Sequence, residues 1–232
     1  MPRELPIFPL PIVLFPGAPQ PLHIFEPRYR QLLEDCKARD RRFGITYVAR
    51  DESKTPDADV VSRPGDVGCV ALIRSIQPLP DGRANILTVG ERRFELRRWI
   101  ERDPPCPYRV AEVEEFDDEP VDPAEVAPLA ADVRAGFGRL ARALSVLTER
   151  EDEPMELAQD PQLLSFQVAA SLELDADAKR VLQTLRSTTV RLRQLAGVLG
   201  PLAADAERRA AVRQRAKRNG RGGRYAEIER AT

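Results

Sequence analysis

Histidine and cysteine are scarce in this 232-residue sequence, which has one histidine, His23, and three cysteines, Cys36, Cys69 and Cys106. A structural zinc site needs four Cys or His ligands, usually in close pairs. An odd number of widely spaced cysteines also fits no disulfide framework. We therefore expect reduced thiols and predict neither a zinc site nor a cofactor, while a magnesium site made only of carboxylates stays open.

Long apolar runs are also missing. No stretch approaches the ~20 apolar residues that span a bilayer, and the N-terminal residues MPRELPIFPLP lack the uninterrupted apolar stretch of a signal peptide. We predict a cytoplasmic protein without membrane contact.

The common catalytic motifs are absent. The sequence has no GxxxxGK[ST] phosphate loop, no GxGxxG fingerprint and no GxSxG nucleophile turn. It contains only four lysines, which makes a Ser-Lys pair hard to build. The sequence thus predicts a protein that is not an enzyme.

Strand patterns fill the first half of the chain. Proline-broken apolar stretches such as IFPLPIVLFPG do not fit helices, and the runs RFGITYVAR, VGCVALIRSIQPL, RANILTVGERRFELRRWI and YRVAEVEEF are rich in β-branched and aromatic residues. Asp81-Gly82 predicts a hairpin, Gly90 predicts a bulge, and Pro27 begins a helix that ends near Arg39 or Asp40. This pattern indicates a mostly antiparallel, barrel-like sheet with one inserted helix.

The hydrophobic period changes after Glu119-Pro120. Apolar residues then recur every three or four positions, as on one face of a helix: Val126, Leu129, Val133, Phe137, Leu140, Leu144 and Leu147. Asp160-Pro161 begins the next helix as cap and first residue. We predict the fold class α+β with three parts: a barrel over 1–118, a C-terminal α-helical bundle over 119–204, and a basic, disordered tail over 205–232. Within this tail, helix propensity extends as far as Arg218 and breaks at Asn219-Gly220.

Charge is unevenly distributed although the net charge is −1. Eight acidic residues and no basic one lie between Glu112 and Glu125, and we interpret that run as a solvated linker in preference to a magnesium site. The tail reverses the sign, and its cations are candidate nucleic-acid ligands: Arg213, Arg215, Lys217, Arg218, Arg221 and Arg224. RNA binding is therefore an open alternative.

The stretch PLHIFEPRYR combines the only histidine with a helix start. We expect a structural corner in which His23 hydrogen-bonds the backbone, Glu26 caps the helix, and Pro27 and Arg28 form the first turn. The alternative is an enzyme that uses His23 and Glu26 on a small ligand, although the sequence shows no nucleophile beside them.

Three segments of this sequence resemble the N-terminal substrate-binding domain of the Lon protease family, in its free-standing bacterial form. They are ELPIFPLPIVLFPGAPQPLHIFEPRYRQLLEDC, RSIQPLPDGRANILTVGERRFELR and SFQVAASLELDADAKRVLQTLRSTTVRLRQLAGVL. The resemblance extends from about Leu5 to Leu199. It implies a PUA-like pseudobarrel followed by a helical part.

The resemblance also implies a function in protein quality control. We expect a non-catalytic module that binds unfolded or apolar protein segments, with a protease as a further partner in an adaptor role. Because the chain ends before an ATPase or protease module begins, neither activity is expected of it. The candidate peptide-binding residues are Phe15 and Pro16, in a proline-bounded apolar loop, together with Phe25 and Tyr29.

Overall fold

The computed structural model of the chain describes residues 2–49, 62–102, 104–149 and 155–222, with side chains described as far as residue 217. Its contacts form two compact units. The first unit comprises Met1–Pro120 and Gln162–Thr188, and the second comprises Val121–Pro161 and Thr189–Thr232. Residues 162–188 thus group with the sheet, whereas the predicted domain bounds of 1–118, 119–204 and 205–232 stay a prediction.

Six strands of the first unit form one sheet. They are β1 (Pro2–Leu10), β2 (Pro19–Ile24), β3 (Arg42–Tyr47), β4 (Val67–Pro78), β5 (Ala84–Ile100) and β6 (Arg109–Phe116). The order is β2-β5-β4-β3-β1-β6, and a further β5–β6 pairing closes five of the strands into a ring. Among the pairings of these six described strands, only β1 with β3 is parallel. The predicted α+β class with a barrel-like, mostly antiparallel sheet is confirmed.

Strand β5 pairs with two different strands, β2 and β6, along its length. Its first half, Ala84–Val89, pairs with β2, and its second half, from Arg93, pairs with β6. The change of partner coincides with the predicted bulge. Gly90 and Arg93 of β5 are three residues apart, whereas their partners on β4, Ala71 and Cys69, are two residues apart, so β5 has one extra residue here. Asp81-Gly82 forms the predicted hairpin turn, in which Gly82 has a φ of 78°.

Alternating apolar residues of the ring form its core. The central cluster consists of Leu5, Ile7, Val70, Phe94, Leu96, Ala111 and Val113. The inserted helix α1 (Pro27–Lys37) begins at the predicted proline and ends slightly before the predicted position. It buries Tyr29, Leu32, Leu33 and Cys36, which recur at helical spacing.

Two helices from later in the chain complete the first unit. These are α3 (Pro161–Ser171), which starts at the predicted Pro161, and α4 (Ala176–Thr184). The Asp175 side chain caps α4 by accepting a hydrogen bond from the backbone N–H of Ala178. Phe166 of α3 is fully buried, and its ring centroid lies 6.2 Å from that of Phe15.

The second unit contains α2 (Pro123–Thr148) and most of α5 (Thr188–Gly222). Helix α2 follows the predicted stripe through Val126, Val133 and Leu140, but Leu144 is exposed and Ala143 is buried in its place. Among the described residues, no helix is sufficiently long and apolar to span a membrane.

Helix α5 continues through Gly222, slightly beyond Arg218, where the sequence predicts the helix to break. This part of α5 has one buried face, formed by Ala203, Ala206 and Ala210 at helical spacing. The many charged residues around these alanines make the buried face difficult to recognise in the sequence. Arg139 also pairs with Glu207 at 2.7 Å. Residues 223–232 of the predicted tail lie outside the described residues.

The three thiols differ in exposure, and this difference predicts how rapidly each reacts with a disulfide reagent. Cys36 and Cys69 are buried, whereas Cys106 is partly exposed. Burial raises the pKa of Cys36 to about 12 and that of Cys69 well above its usual range. Since the thiolate is the reactive form, we expect a disulfide reagent to modify one thiol rapidly in the folded protein and all three in denaturant. C106S should remove the rapid phase; its persistence would contradict this burial pattern.

Candidate functional site

The predicted corner lies where β2 leads into α1, and its residues are bonded differently from the prediction. His23 Nδ1 lies 2.7 Å from the Asn85 side-chain oxygen on β5, where backbone bonding was expected. His23 and Asn85 are directly opposite in the β2–β5 register, so cross-strand pairing supplies the partner. His23 is exposed, and its ring stacks on Phe25 at a centroid distance of 5.9 Å.

Glu26 occupies the N-cap position of α1, but its side chain makes no capping hydrogen bond. Glu26 Oε2 accepts a hydrogen bond from Arg28 Nε at 2.9 Å and forms a salt bridge with Nη2 at 2.8 Å. The expected side-chain cap is therefore wrong, because the carboxylate pairs with an arginine two residues away and not with the helix N–H groups. Pro27 begins the helix as predicted.

Phe15 and Pro16, two of the four candidate peptide-binding residues, are buried. Phe15 is 0% exposed, and its loop is fastened to β5 by hydrogen bonds from Gly17 N to Gly90 O at 2.8 Å and from Gly90 N to Ala18 O at 3.0 Å. In this conformation neither side chain has surface to offer a peptide. The prolines that suggested an exposed loop instead shape a segment that packs into the first unit.

Tyr29, the third candidate, is also buried. Its ring stacks on Phe8 of β1 at a centroid distance of 3.8 Å, and the Arg28 guanidinium lies 4.8 Å above it. Tyr29 and Arg28 line a cavity of about 260 Å³ with Trp99 and Tyr108. The Tyr108 hydroxyl donates to Asp35 Oδ2, and burial followed by this bond raises the pKa of Tyr108. His23 and Glu26 do not line this cavity.

Phe25, the fourth candidate, is 57% exposed. Along β2 and β5 the side chains alternate, so that Ile24 and Ile86 are buried while Pro21, His23, Asn85 and Leu87 are exposed. Pro21 is directly opposite Leu87, which is 39% exposed. We call this surface, made of Pro21, His23, Phe25 and Leu87, the Phe25 face. An exposed aromatic among exposed apolar neighbours is typical of a binding surface.

Arg93, the largest fully buried side chain among the described residues of the first unit, was not predicted from the sequence. Its guanidinium donates to Asp118 Oδ1 and to the backbone oxygens of Gln183 at 2.8 Å and Leu185 at 2.5 Å. It also lies 4.5 Å from the Phe116 ring. The other oxygen of Asp118 accepts from the Thr188 hydroxyl. The arginine pair in GERRFEL was the only available signal, since Asp118 is 25 residues away and the backbone partners Gln183 and Leu185 are 90 and 92 residues away.

The acidic run is not a linker over its first part. Glu112, Glu114 and Glu115 belong to β6, where Arg98 pairs with Glu112 at 2.7 Å and Arg97 with Glu114 at 2.6 Å. The hydrogen bond from Arg97 lowers the pKa of Glu114. These carboxylates face arginines across the β5–β6 ladder, and within the described parts of the chain no cluster of His, Cys, Asp or Glu has a geometry that could hold a metal.

Five of the six cations proposed for RNA belong to α5. Lys217 lies 2.9 Å from Glu149 Oε1, Arg213 also pairs with Glu149, and these two hydrogen bonds lower the pKa of Glu149 to about 2. Arg215 is exposed. The side chains of Arg218 and Arg221, and all of Arg224, lie outside the described residues.

The fold defines a class: an α+β protein built on a PUA-like pseudobarrel, with a helix inserted between β2 and β3 and further helices after the sheet. The chain belongs to the family of the ATP-dependent protease La (LON) substrate-binding domain, whose model matches residues 4–199.

Two curated relatives show how much of a longer protein the chain covers. It is 26% identical over 216 residues to the Lon protease of Flavobacterium johnsoniae, which corresponds to 84% of this chain and 25% of that protein. It is 28% identical over 200 residues to the Lon protease of Roseiflexus castenholzii, covering 86% and 24%. The chain thus spans about a quarter of the length of these relatives.

Two solved structures share the fold. A Lon N-terminal domain protein from Xanthomonas campestris matches with a TM-score of 0.59 and 26% identity, over 84% of this chain and 98% of that one. The N-terminal domain of Mycobacterium avium complex Lon protease matches with a TM-score of 0.59 and 20% identity, over 85% and 98%. At that identity the second structure supports the fold alone.

Proposed function

We propose that this chain is a non-catalytic substrate-recognition module that binds unfolded or apolar protein segments at the Phe25 face. The observation that carries the proposal is the exposure of Phe25, at 57% the most exposed aromatic side chain among the described residues. Burying an aromatic ring and its apolar neighbours against a peptide removes apolar area from water, which is the main driving force for such contacts.

The position of β2 favours recognition by side chains over strand addition. Strand β2 ends the order of the sheet, so one of its edges has no strand partner within the described parts of the chain. Pro19 and Pro21 have no N–H group, and proline on an edge strand blocks the hydrogen-bond ladder that an added peptide strand needs. Contacts through Phe25 and Leu87 depend little on peptide sequence, which suits a module with many substrates.

The family supports proteins as the ligand class, because its description is the substrate-binding domain of a protease. A further part of the proposal is an adaptor role, in which the chain presents its bound segment to a protease. This part predicts faster degradation of an unfolded substrate when the chain is added to a Lon-type protease. Unchanged or slower degradation would leave a binding module without an adaptor role.

Replacing Phe25 by alanine is expected to weaken binding of a labelled unfolded protein about tenfold or more, as is typical of a central aromatic contact. Binding is measured by fluorescence anisotropy. The matched control is V181A on α4, because Val181 belongs to the same unit and is 51% exposed. Circular dichroism and the fluorescence of the single tryptophan verify that both variants fold.

Equal binding by F25A and the wild-type chain would contradict the placement of the site. The triple variant R213Q/R215Q/K217Q tests the RNA alternative in the same assay. If a single-stranded RNA binds, and its affinity falls steeply with salt and is lost in that variant, the function lies in α5 and the proposal is wrong.

A further inference from the structure

A cleft of about 760 Å³ lies between α1 and the β4–β5 hairpin in the first unit. Leu33, Ile76 and Leu79 give it apolar surface, and Arg30, Lys37, Arg41 and Arg83 contribute four cationic side chains. Glu34 is the only carboxylate among its lining residues. The cleft therefore combines apolar surface with an excess of positive charge.

Two of these cations are already paired. Lys37 lies 2.8 Å from Glu34, and Arg83 lies 2.5 Å from Asp81. Arg30 and Arg41 form no ion pair within the described parts of the chain. Their positive charge is therefore available to an anionic ligand.

Both of these arginines have well-defined positions. The Arg30 guanidinium lies against the hairpin turn, since a Cβ built on Gly82 would be 2.3 Å from its Nη2. Arg41 has a φ of 59°, uncommon for a residue with a side chain, and its backbone is held by hydrogen bonds from Arg41 N to Cys36 O at 3.0 Å and from Ile73 N to Arg41 O at 2.9 Å. The end of α1 and strand β4 thus fix the start of the Arg41 side chain.

We propose that this cleft binds the acidic residues that flank the apolar part of a protein substrate, through Arg30 and Arg41. The inference rests on the proposed function and specifies its substrate class. The cleft and the Phe25 face are adjacent in sequence, because Pro27, which lines the cleft, is two residues from Phe25. Arg30 follows on the same helix, and we expect the residues that flank the bound apolar part to meet the cleft there.

The chemistry of the cleft favours a peptide over a nucleic acid. Single-stranded nucleic acids are held by aromatic rings on which bases stack, and none of the described residues that line this cleft is aromatic. Its aliphatic surface fits apolar side chains, and guanidinium groups match carboxylates in geometry. An acidic segment with interspersed apolar residues satisfies both features.

The test uses two labelled peptides with the same apolar centre, one flanked by Asp and Glu and the other by Asn and Gln. Anisotropy titrations compare the full chain with R30Q, R41Q and E34Q. R142Q is the matched charge control, because Arg142 is an exposed helical arginine on α2 in the second unit. We expect the wild-type chain to prefer the acidic peptide about three- to tenfold at low salt.

That preference should be lost in R30Q and R41Q, kept in R142Q, and increased in E34Q, which removes the repelling carboxylate and releases Lys37. If both peptides bind equally to the wild-type chain, the inference fails and the proposed function stands. If neither peptide binds, both fail. A preference that survives in R30Q and R41Q, or an RNA oligomer whose binding depends on these arginines, also overturns the inference.

Discussion

Replacing Asp118 by alanine is expected to lower the free energy of unfolding of the first unit by about 3–5 kcal/mol. Asp118 is the carboxylate that neutralises Arg93, and both side chains are almost completely buried. Without it, the guanidinium keeps its charge in the interior, and the Thr188 hydroxyl loses its acceptor. Removal of one partner of a buried ion pair costs more than the pair contributes, because the remaining charge is uncompensated.

The neighbouring residue provides a matched control. Asp117 pairs with Arg92 at 2.9 Å, and both side chains are 60% exposed. Solvent screens such a pair, so D117A should change the unfolding free energy by less than about 0.5 kcal/mol. Urea unfolding monitored through Trp99, the single tryptophan and a residue of β5, reports on the first unit.

A double variant separates the charge effect from simple loss of packing. R93M/D118L removes both charges and keeps apolar volume, so it should be more stable than D118A. Equal stability of D118A and D117A would contradict the importance of this ion pair.

Replacing Gly90 by alanine is expected to cost about 3 kcal/mol or more, at the upper end of the effects of overpacking. A Cβ at Gly90 would lie 2.1 Å from Phe15 O and 2.9 Å from Phe15 C. Both are backbone atoms, and the hydrogen bonds that Gly90 makes with Gly17 and Ala18 hold that loop in place. The loop must therefore detach, which exposes the buried Phe15 ring.

A second glycine, Gly197, provides a control at which alanine is expected to increase stability. A Cβ at Gly197, inside α5, would meet no atom within 4 Å. G197A should stabilise its helix by about 0.5–1 kcal/mol, since alanine has the higher helix propensity. Thermal unfolding followed by circular dichroism measures both variants. An unchanged midpoint for G90A would show that the loop does not pack against β5 as described.

The sequence predicts local elements well where a strong short-range signal exists. Asp81-Gly82 marks the hairpin, Pro27 and Pro161 mark two helix starts, and Gly90 marks the bulge. Each signal depends on the backbone preferences of one or two residues. The closure of β5 on β6 could not be predicted in this way, because it depends on pairing between separate segments.

The candidate site was predicted less well, because burial is a property of the whole fold. Phe15 and Phe25 both follow short apolar runs bounded by proline, yet one is completely buried and the other is exposed. The difference arises from contacts made far along the chain, such as that of Phe15 with Phe166. The same applies to Arg93, whose hydrogen-bond partners come from the segment that follows β6 and from the end of α4.

The central claim is that the Phe25 face binds protein segments, and an NMR titration tests it most directly. The isotope-labelled full chain is titrated with a reduced, carboxymethylated protein that cannot refold, and amide shifts are followed residue by residue. We expect the largest shifts at residues 22–26, which cover the end of β2 and the N-cap of α1, and at Asn85–Leu87 of β5, and we expect them to disappear in F25A. Shifts confined to α5, or no shifts at all, would contradict it.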